Sequence, residues 1–329
     1  MRLDCSAPTR IDLAGGTIDI WPLYLFHDGA QTLNAAISLR AHASVENLAG
    51  ERVVIRSIDT GRTLEVAHWS ELNGHSELRL LARIVRFFRA RGLVLTTRGE
   101  SPAGAGIAGS SALNVAVCAA LARWMKTDYA AETLLQVAMN IEVQAIDVPT
   151  GFQDYRPAYY GGIAAIELRA EGPRRVALDV DPRALEQRIV LAYTGESRNS
   201  GTNNWEIYKR HIDGDRQVFE CFDRIRDTAA AMREALTRGD WDEVGRQIGR
   251  EWENRKLLAP GVTTAAIEAL IARAGAAGAL AAKVCGAGGG GCLMCYAAPD
   301  RTPAIREALS AGGARVLDFR IETEGLRFG

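Results

Sequence analysis

The 329-residue chain has no excess of charge of either sign, few cysteines and no long apolar run, and each shortage removes a class of function. Lys plus Arg number 39 against 40 for Asp plus Glu, a formal net charge of -1. The basic excess that draws proteins to nucleic acid is therefore missing. The longest weakly charged stretch, residues 274–299, is broken by Lys283 and filled with glycine, so it cannot supply the roughly 20 apolar residues of a membrane-spanning helix. Asp4, Arg10 and Asp12 stand where the apolar core of a secretory leader would lie. These absences predict a cytoplasmic protein without a membrane or nucleic-acid partner.

Six scattered cysteines are too few for a disulfide framework and suit a reducing compartment. Cys292 and Cys295, with Cys285 upstream, have a spacing that could begin a zinc site. The five histidines offer no ligand-spaced pair, however, and residues 292–296 read as a buried strand, so small core residues are the better reading. What the chain does have is apolar content, 47%, enough at this length to bury about three quarters of the unfolded surface in one or two domains.

Periodicity predicts strands over residues 35–46, 52–58 and 93–97, and helical spacing over 69–91. Helices follow over 110–124 and 129–146, the second ended by Pro149 and Gly151. A strand pair is expected over 158–168, a domain boundary over 171–183 and a strand over 189–194. Amphipathic helices are expected over 216–236, 240–258 and 264–274. The chain then reads as strand, glycine loop, strand, helix and strand up to residue 321, with an irregular terminus from Glu322. The class is α+β, in two domains at 1–175 and 176–329.

Two of the glycine clusters match G-x-G-x-x-G, at 104–109 and 286–291. Neither has the context of a dinucleotide fold: the first leads through a helix into another helix, and the second leads into a strand. No lysine follows a glycine, so a Walker A loop is absent too. The segment Pro102-Ala103-Gly104-Ala105-Gly106-Ile107-Ala108-Gly109-Ser110-Ser111-Ala112 nevertheless runs straight into a helix. Free amides at the positive end of a helix dipole, with glycines allowing close approach, make an anion site. Ser110 or Ser111 could cap the helix or give a hydroxyl to magnesium. A merely capped helix after a flexible turn remains the alternative.

Together with that loop, Ala7-Pro8-Thr9-Arg10-Ile11-Asp12-Leu13-Ala14-Gly15-Gly16-Thr17-Ile18-Asp19 and Lys283-Val284-Cys285-Gly286-Ala287-Gly288-Gly289-Gly290-Gly291 resemble the three signature motifs of the GHMP kinase superfamily. They stand in the right order, about 90 and 175 residues apart. The resemblance implies an N-terminal domain like ribosomal protein S5 domain 2, a ferredoxin-like C-terminal domain, and a site between them that uses ATP and magnesium. It places the ATP phosphates on Pro102, Gly104, Ala105, Gly106, Ile107, Ala108, Gly109, Ser110 and Ser111. It gives the metal to Ser111 and Glu142, makes Asp154 the catalytic carboxylate and makes Arg10 the basic partner that stabilises the developing alkoxide.

The first motif, with residues 152–154 and 193–201, looks most like the sugar kinases related to heptose phosphate kinase and fucokinase, which act on sugar hydroxyls, commonly at the anomeric carbon. The acceptor side would then include Gly16, Thr17, Asp19, Arg198, Gly288 and Gly289, with Asp19 taking hydrogen bonds from ligand hydroxyls. That branch carries a further glycine and a threonine before the aspartate, where this chain has Gly16-Thr17-Ile18-Asp19. Trp21, Pro22 and Tyr24 offer either a face for a sugar ring or plain core. The expectation is an ATP- and magnesium-dependent sugar or sugar-phosphate kinase, with a homodimer compatible with it. Its rivals are a mevalonate-type or other polyol kinase, a catalytically silent sugar sensor and, more distantly, a dinucleotide-dependent oxidoreductase.

Overall fold

The computed structural model describes residues 1–74, 77–196 and 200–329. Its first half is β1 (Arg2–Ala14), β2 (Gln31–Asn47), β3 (Val53–Ser57), β4 (Arg62–Val66), α1 (Arg79–Phe87), β5 (Leu93–Gly99), α2 (Gly109–Trp124), α3 (Ala131–Ile146), α4 (Tyr155–Tyr160), β6 (Ile163–Arg169) and β7 (Gly172–Ala177). The second half is α5 (Pro182–Glu186), β8 (Ile189–Tyr193), α6 (Ser200–Ile212), α7 (Arg216–Arg238), α8 (Trp241–Lys256), α9 (Ala265–Ala276), β9 (Ala281–Val284), β10 (Cys292–Tyr296), α10 (Thr302–Ala311), β11 (Arg315–Leu317) and β12 (Arg327–Phe328). The class is α+β, as expected.

Two sheets organise these elements. The larger runs β12-β1-β2-β5-β3-β4, with β6 and β7 branching from β2; the smaller runs β11-β8-β10-β9. The branch arises because β2 is 17 residues long: its first part pairs with β6 and its last part with β5, while β1 lies along its other edge. The register of β1 against β2 shifts between Pro8 and Thr9 and again between Asp12 and Ala14. Such bulges bend a strand and re-aim its side chains, and these two bracket Arg10 and Asp12.

Helix α2 is the axis of the first half. Ala112, Val115 to Leu121 and their neighbours are buried almost all round, so the helix is a core element rather than an amphipathic cover. Its alanines let it lie close on β1 and β2, and this fixes where its N-terminus emerges.

Several sequence expectations shift. The 69–91 stretch is a short 3-10 turn at Trp69–Leu72 and then α1. Residues 158–160 of the expected strand region belong to helix α4, because the Gly161-Gly162 pair, both at positive φ, starts β6 only afterwards. β7, inside the expected boundary, pairs with β6 and belongs to the large sheet. The last strand is confined to β11. The terminus is not wholly irregular: β12 pairs with β1, and Arg40 donates to the carbonyl of Gly325 at 2.6 Å. β1, β4 and α6 have no counterpart in the sequence reading.

Candidate active site

Alternation along β1 puts Arg10 and Asp12 on one face, with Ile11 and Leu13 on the other in the core. Arg10 is 2% exposed. Its Nε and Nη2 both donate to Oδ1 of Asp154, at 3.1 and 2.5 Å, and Nη1 donates to the carbonyl of Gly106 at 2.9 Å. Its backbone N–H donates to Ile107. One arginine therefore joins the first motif, the glycine loop and the carboxylate that starts α4. Burial alone would loosen its proton, but Asp154 and then Asp12 outweigh it and hold the guanidinium more firmly charged than usual. Oδ2 of Asp154 takes no hydrogen bond from the described residues.

The loop 102–111 keeps its shape through backbone contacts. Ala105 N–H donates to Pro102, and Ala108, at φ +60°, turns the chain into α2. Ala112 donates the first intrahelical bond, to Ala108, so the amides of Gly109, Ser110 and Ser111 lie ahead of it at the positive helix end. Neither serine caps the helix. Both hydroxyls instead donate to Oε1 of Glu142 on α3, Ser110 at 2.7 Å and Ser111 at 3.2 Å, while Asn114 reaches Oε2 at 3.3 Å. Glu142 is 3% exposed, and burial raises its carboxyl above the ordinary range against the pull of Ser110; the charge on Asp154 adds to the rise. Two hydroxyls and a carboxylate form an all-oxygen set of the kind magnesium takes with phosphate oxygens and water, so these residues fit the ion. Among the described residues no group of three or more His, Cys, Asp and Glu gathers as a metal cage.

The second glycine cluster packs on the first. A Cβ on Gly106 (φ +72°) would sit 2.6 Å from the Cys285 carbonyl, and one on Gly291 would sit 2.7 Å from that of Ala105. Cys292 N–H donates to the same Ala105 oxygen at 2.7 Å. The glycines let two backbones touch, and the cluster is thereby tied to the phosphate-loop candidate. Gly288 and Gly289 face Val262, whose carbonyl accepts from Gly289 at 2.6 Å.

Asp19 is fully buried beside Gly151 and accepts from Gln153 N–H at 2.8 Å. Burial is the main cause that lifts its carboxyl to about 7; the Gln153 amide opposes, and the charge on Asp154 adds to the rise. Gly16 and Thr17 lie against Arg255. Tyr24 is core, edge-on to Phe152 at 5.9 Å, whereas Trp21 is 61% exposed. Arg198 lies outside the described residues.

Sequence reasoning missed the charges behind this site. Asp12 accepts from Lys283 Nζ at 2.9 Å, Arg255 Nη1 at 3.2 Å and Gly286 N–H at 3.1 Å. Burial would raise its carboxyl, but Lys283, Arg10 and Arg255 overcome that and hold it at about 2. Glu251 lies 3.7 Å from both Arg255 and Lys283. The signals were there: Lys283 is the lone charge in residues 274–299, and Glu251 and Arg255 stand four apart on a helix. Sequence spacing also missed His27 and His211, which meet through their Nε2 atoms at 2.9 Å. All six cysteines are free and buried, and burial pushes the Cys285 thiol up to about 12, as expected of core thiols. No helix among the described residues is long and apolar enough to cross a membrane.

A glycine loop at a helix start, braced by a second one and adjoining an Arg-Asp pair, is an arrangement suited to phosphoryl transfer, and the family models point to the same class of protein. Residues 78–162 match the GHMP kinases N terminal domain and residues 232–315 the GHMP kinases C terminal domain. The chain belongs to the GHMP kinase superfamily and is an ATP-dependent phosphotransferase. It is 29% identical over 331 residues to D-glycero-alpha-D-manno-heptose 7-phosphate kinase of Campylobacter jejuni, covering 97% of this chain and 96% of that one. A mevalonate kinase of Thermococcus onnurineus is 26% identical over 347 residues, covering 99% and 98%. The crystal structure of a D-glycero-D-manno-heptose 1-phosphate kinase from Bacteroides thetaiotaomicron superposes with a TM-score of 0.80 at 26% identity, covering 99% of this chain and 98% of that one.

Proposed function

We propose that the acceptor is a hydroxyl of a sugar phosphate of the heptose phosphate kind, and that Asp154 and Arg10 carry the transfer. The observation that carries this reading is the fork of Arg10 on Asp154 Oδ1 beside the glycine loop. One carboxylate oxygen is occupied by a fixed cation, and the other is left for the attacking hydroxyl. Asp154 orients that hydroxyl and takes its proton, and Arg10 holds the carboxylate in place and steadies the developing alkoxide. The loop from Pro102 to Ser111 presents its amides to the ATP phosphates. Magnesium on Glu142 and Ser111 would neutralise charge on the phosphate oxygens during transfer. Asp19, with Gly16 and Thr17, takes the sugar hydroxyls; Arg198, Gly288 and Gly289 complete the acceptor side. The two sheets support a division of the chain near residue 175, with the site between the halves.

Similarity to a heptose 7-phosphate kinase over nearly the whole chain favours the sugar phosphate. ADP release with magnesium-ATP, measured across hexoses, heptoses, their phosphates and mevalonate, tests the choice. Turnover confined to a sugar phosphate supports it, and turnover on mevalonate alone, or on free sugars alone, contradicts it.

A further inference from the structure

Arg255 comes from the last turn of α8, yet its guanidinium lies inside the first motif. It is 2% exposed. Nη1 donates to Asp12 Oδ2 at 3.2 Å, and Nη2 donates to Thr17 Oγ1 at 3.1 Å and to the carbonyl of Gly286. A Cβ on Gly16 would stand 2.1 Å from Nη1, so glycine at this position is what lets the guanidinium pass beneath the turn. The next residue, Thr17, sits at φ +74°. A β-branched residue in the left-handed region is strained and persists only where its surroundings hold it. Its hydroxyl is held by Arg255, and Asp19 follows two residues later. On the other side, Asp12 lies 3.8 Å from Nη1 of Arg10.

We propose that Arg255 is a positioning residue for phosphoryl transfer: it supports the strained turn at Gly16 and Thr17 that delivers Asp19 and, through Asp12, fixes Arg10 behind Asp154. It touches no reacting atom. A helix of the C-terminal half thus shapes the acceptor side of a site whose carboxylates come from the N-terminal half. That this turn serves the acceptor rests on the proposed function above. A buried ion pair that merely joined the halves would need Asp12 and Glu251 but not the hydroxyl of Thr17.

Two variants separate positioning from simple cohesion. Arg255→Lys keeps the charge beside Asp12 but lacks the fork that reaches Thr17 and Gly286 together. Thr17→Val keeps the side-chain shape and loses only the hydroxyl. Amide hydrogen exchange of the ligand-free full-length chain, read by mass spectrometry, should show residues 15–24 exchanging on the order of tenfold faster in both variants, the effect of losing one charged hydrogen bond. Residues 112–124 inside α2 should be unchanged. Acceleration spread equally over both segments, or absent from both, overturns the proposal.

With magnesium-ATP and D-glycero-D-manno-heptose 7-phosphate, the KM for the sugar phosphate should rise on the order of tenfold in each variant while the KM for ATP stays within about twofold. Equal rises in both KM values would overturn the positioning role. If the unmodified protein leaves that sugar phosphate untouched, the acceptor assignment fails, and the exchange measurement still decides the claim about Arg255.

Discussion

Asp12 and Asp19 are both fully buried in the first motif, and their protons respond in opposite senses. Asp12 faces three cations and is held at about 2. Asp19 faces the Gln153 amide and the field of Asp154, and is raised from its ordinary 3.8 to about 7. In the unfolded chain Asp19 releases its proton near 3.8, so between there and about 7 the folded state binds more protons and raising the pH costs stability. That cost is complete above pH 7. Asp19→Asn removes the charge, and its amide can pair with Gln153 Oε1, which is buried without a partner among the described residues. Thermal unfolding should therefore show the variant melting at least about 2 °C above the unmodified protein at pH 8, with the gain vanishing by pH 4. An equal gain at both pH values would mean that the charge is not responsible. Residue identity alone told us that Asp19 and Asp154 could serve; which cations face which carboxylate depends on contacts such as Asp12 to Lys283, which lie far apart in sequence.

The elements that carry the site were legible to different degrees. Helix α2 and the loop before it were plain from the apolar run behind the glycine cluster, and α3 from its spacing and the Pro149-Gly151 stop. β1 was not, because its proline, its two bulges and its inward-facing Arg10 and Asp12 break the period-2 pattern that marks a strand. Nor was the mutual packing of the two glycine loops, since composition gives no partner. Gly106 and Gly29 separate the two reasons for a glycine. Both have positive φ, but a Cβ at Gly29 meets nothing within 4 Å, whereas at Gly106 it meets the Cys285 carbonyl at 2.6 Å. Gly29→Ala should cost about 1 kcal/mol, the strain of the conformation alone. Gly106→Ala should cost about 2–4 kcal/mol through added overpacking, and should also raise the KM for ATP. Urea unfolding and ADP-release kinetics on both variants check this, and equal costs would contradict the loop contact.

At the scale of the molecule, the α+β class and the order of the three motifs could be read from the chain, and the resemblance they carried predicted the superfamily that the family models report. The return of the terminus to β1, and the buried charges that join α8 and β9 to the first motif, could not be read. Both depend on pairings between residues far apart in the chain, and no local pattern encodes that. The result is a candidate site in which Arg10 and Asp154 adjoin a glycine loop braced from the other half. The most direct test of this account compares Asp154→Asn with the unmodified protein, using ADP release at saturating magnesium-ATP and the best acceptor. The account predicts a fall in turnover of roughly 10²–10⁴-fold with the KM for ATP and the melting temperature nearly unchanged. Turnover within about twofold of the unmodified protein would contradict Asp154 as the group that takes the proton.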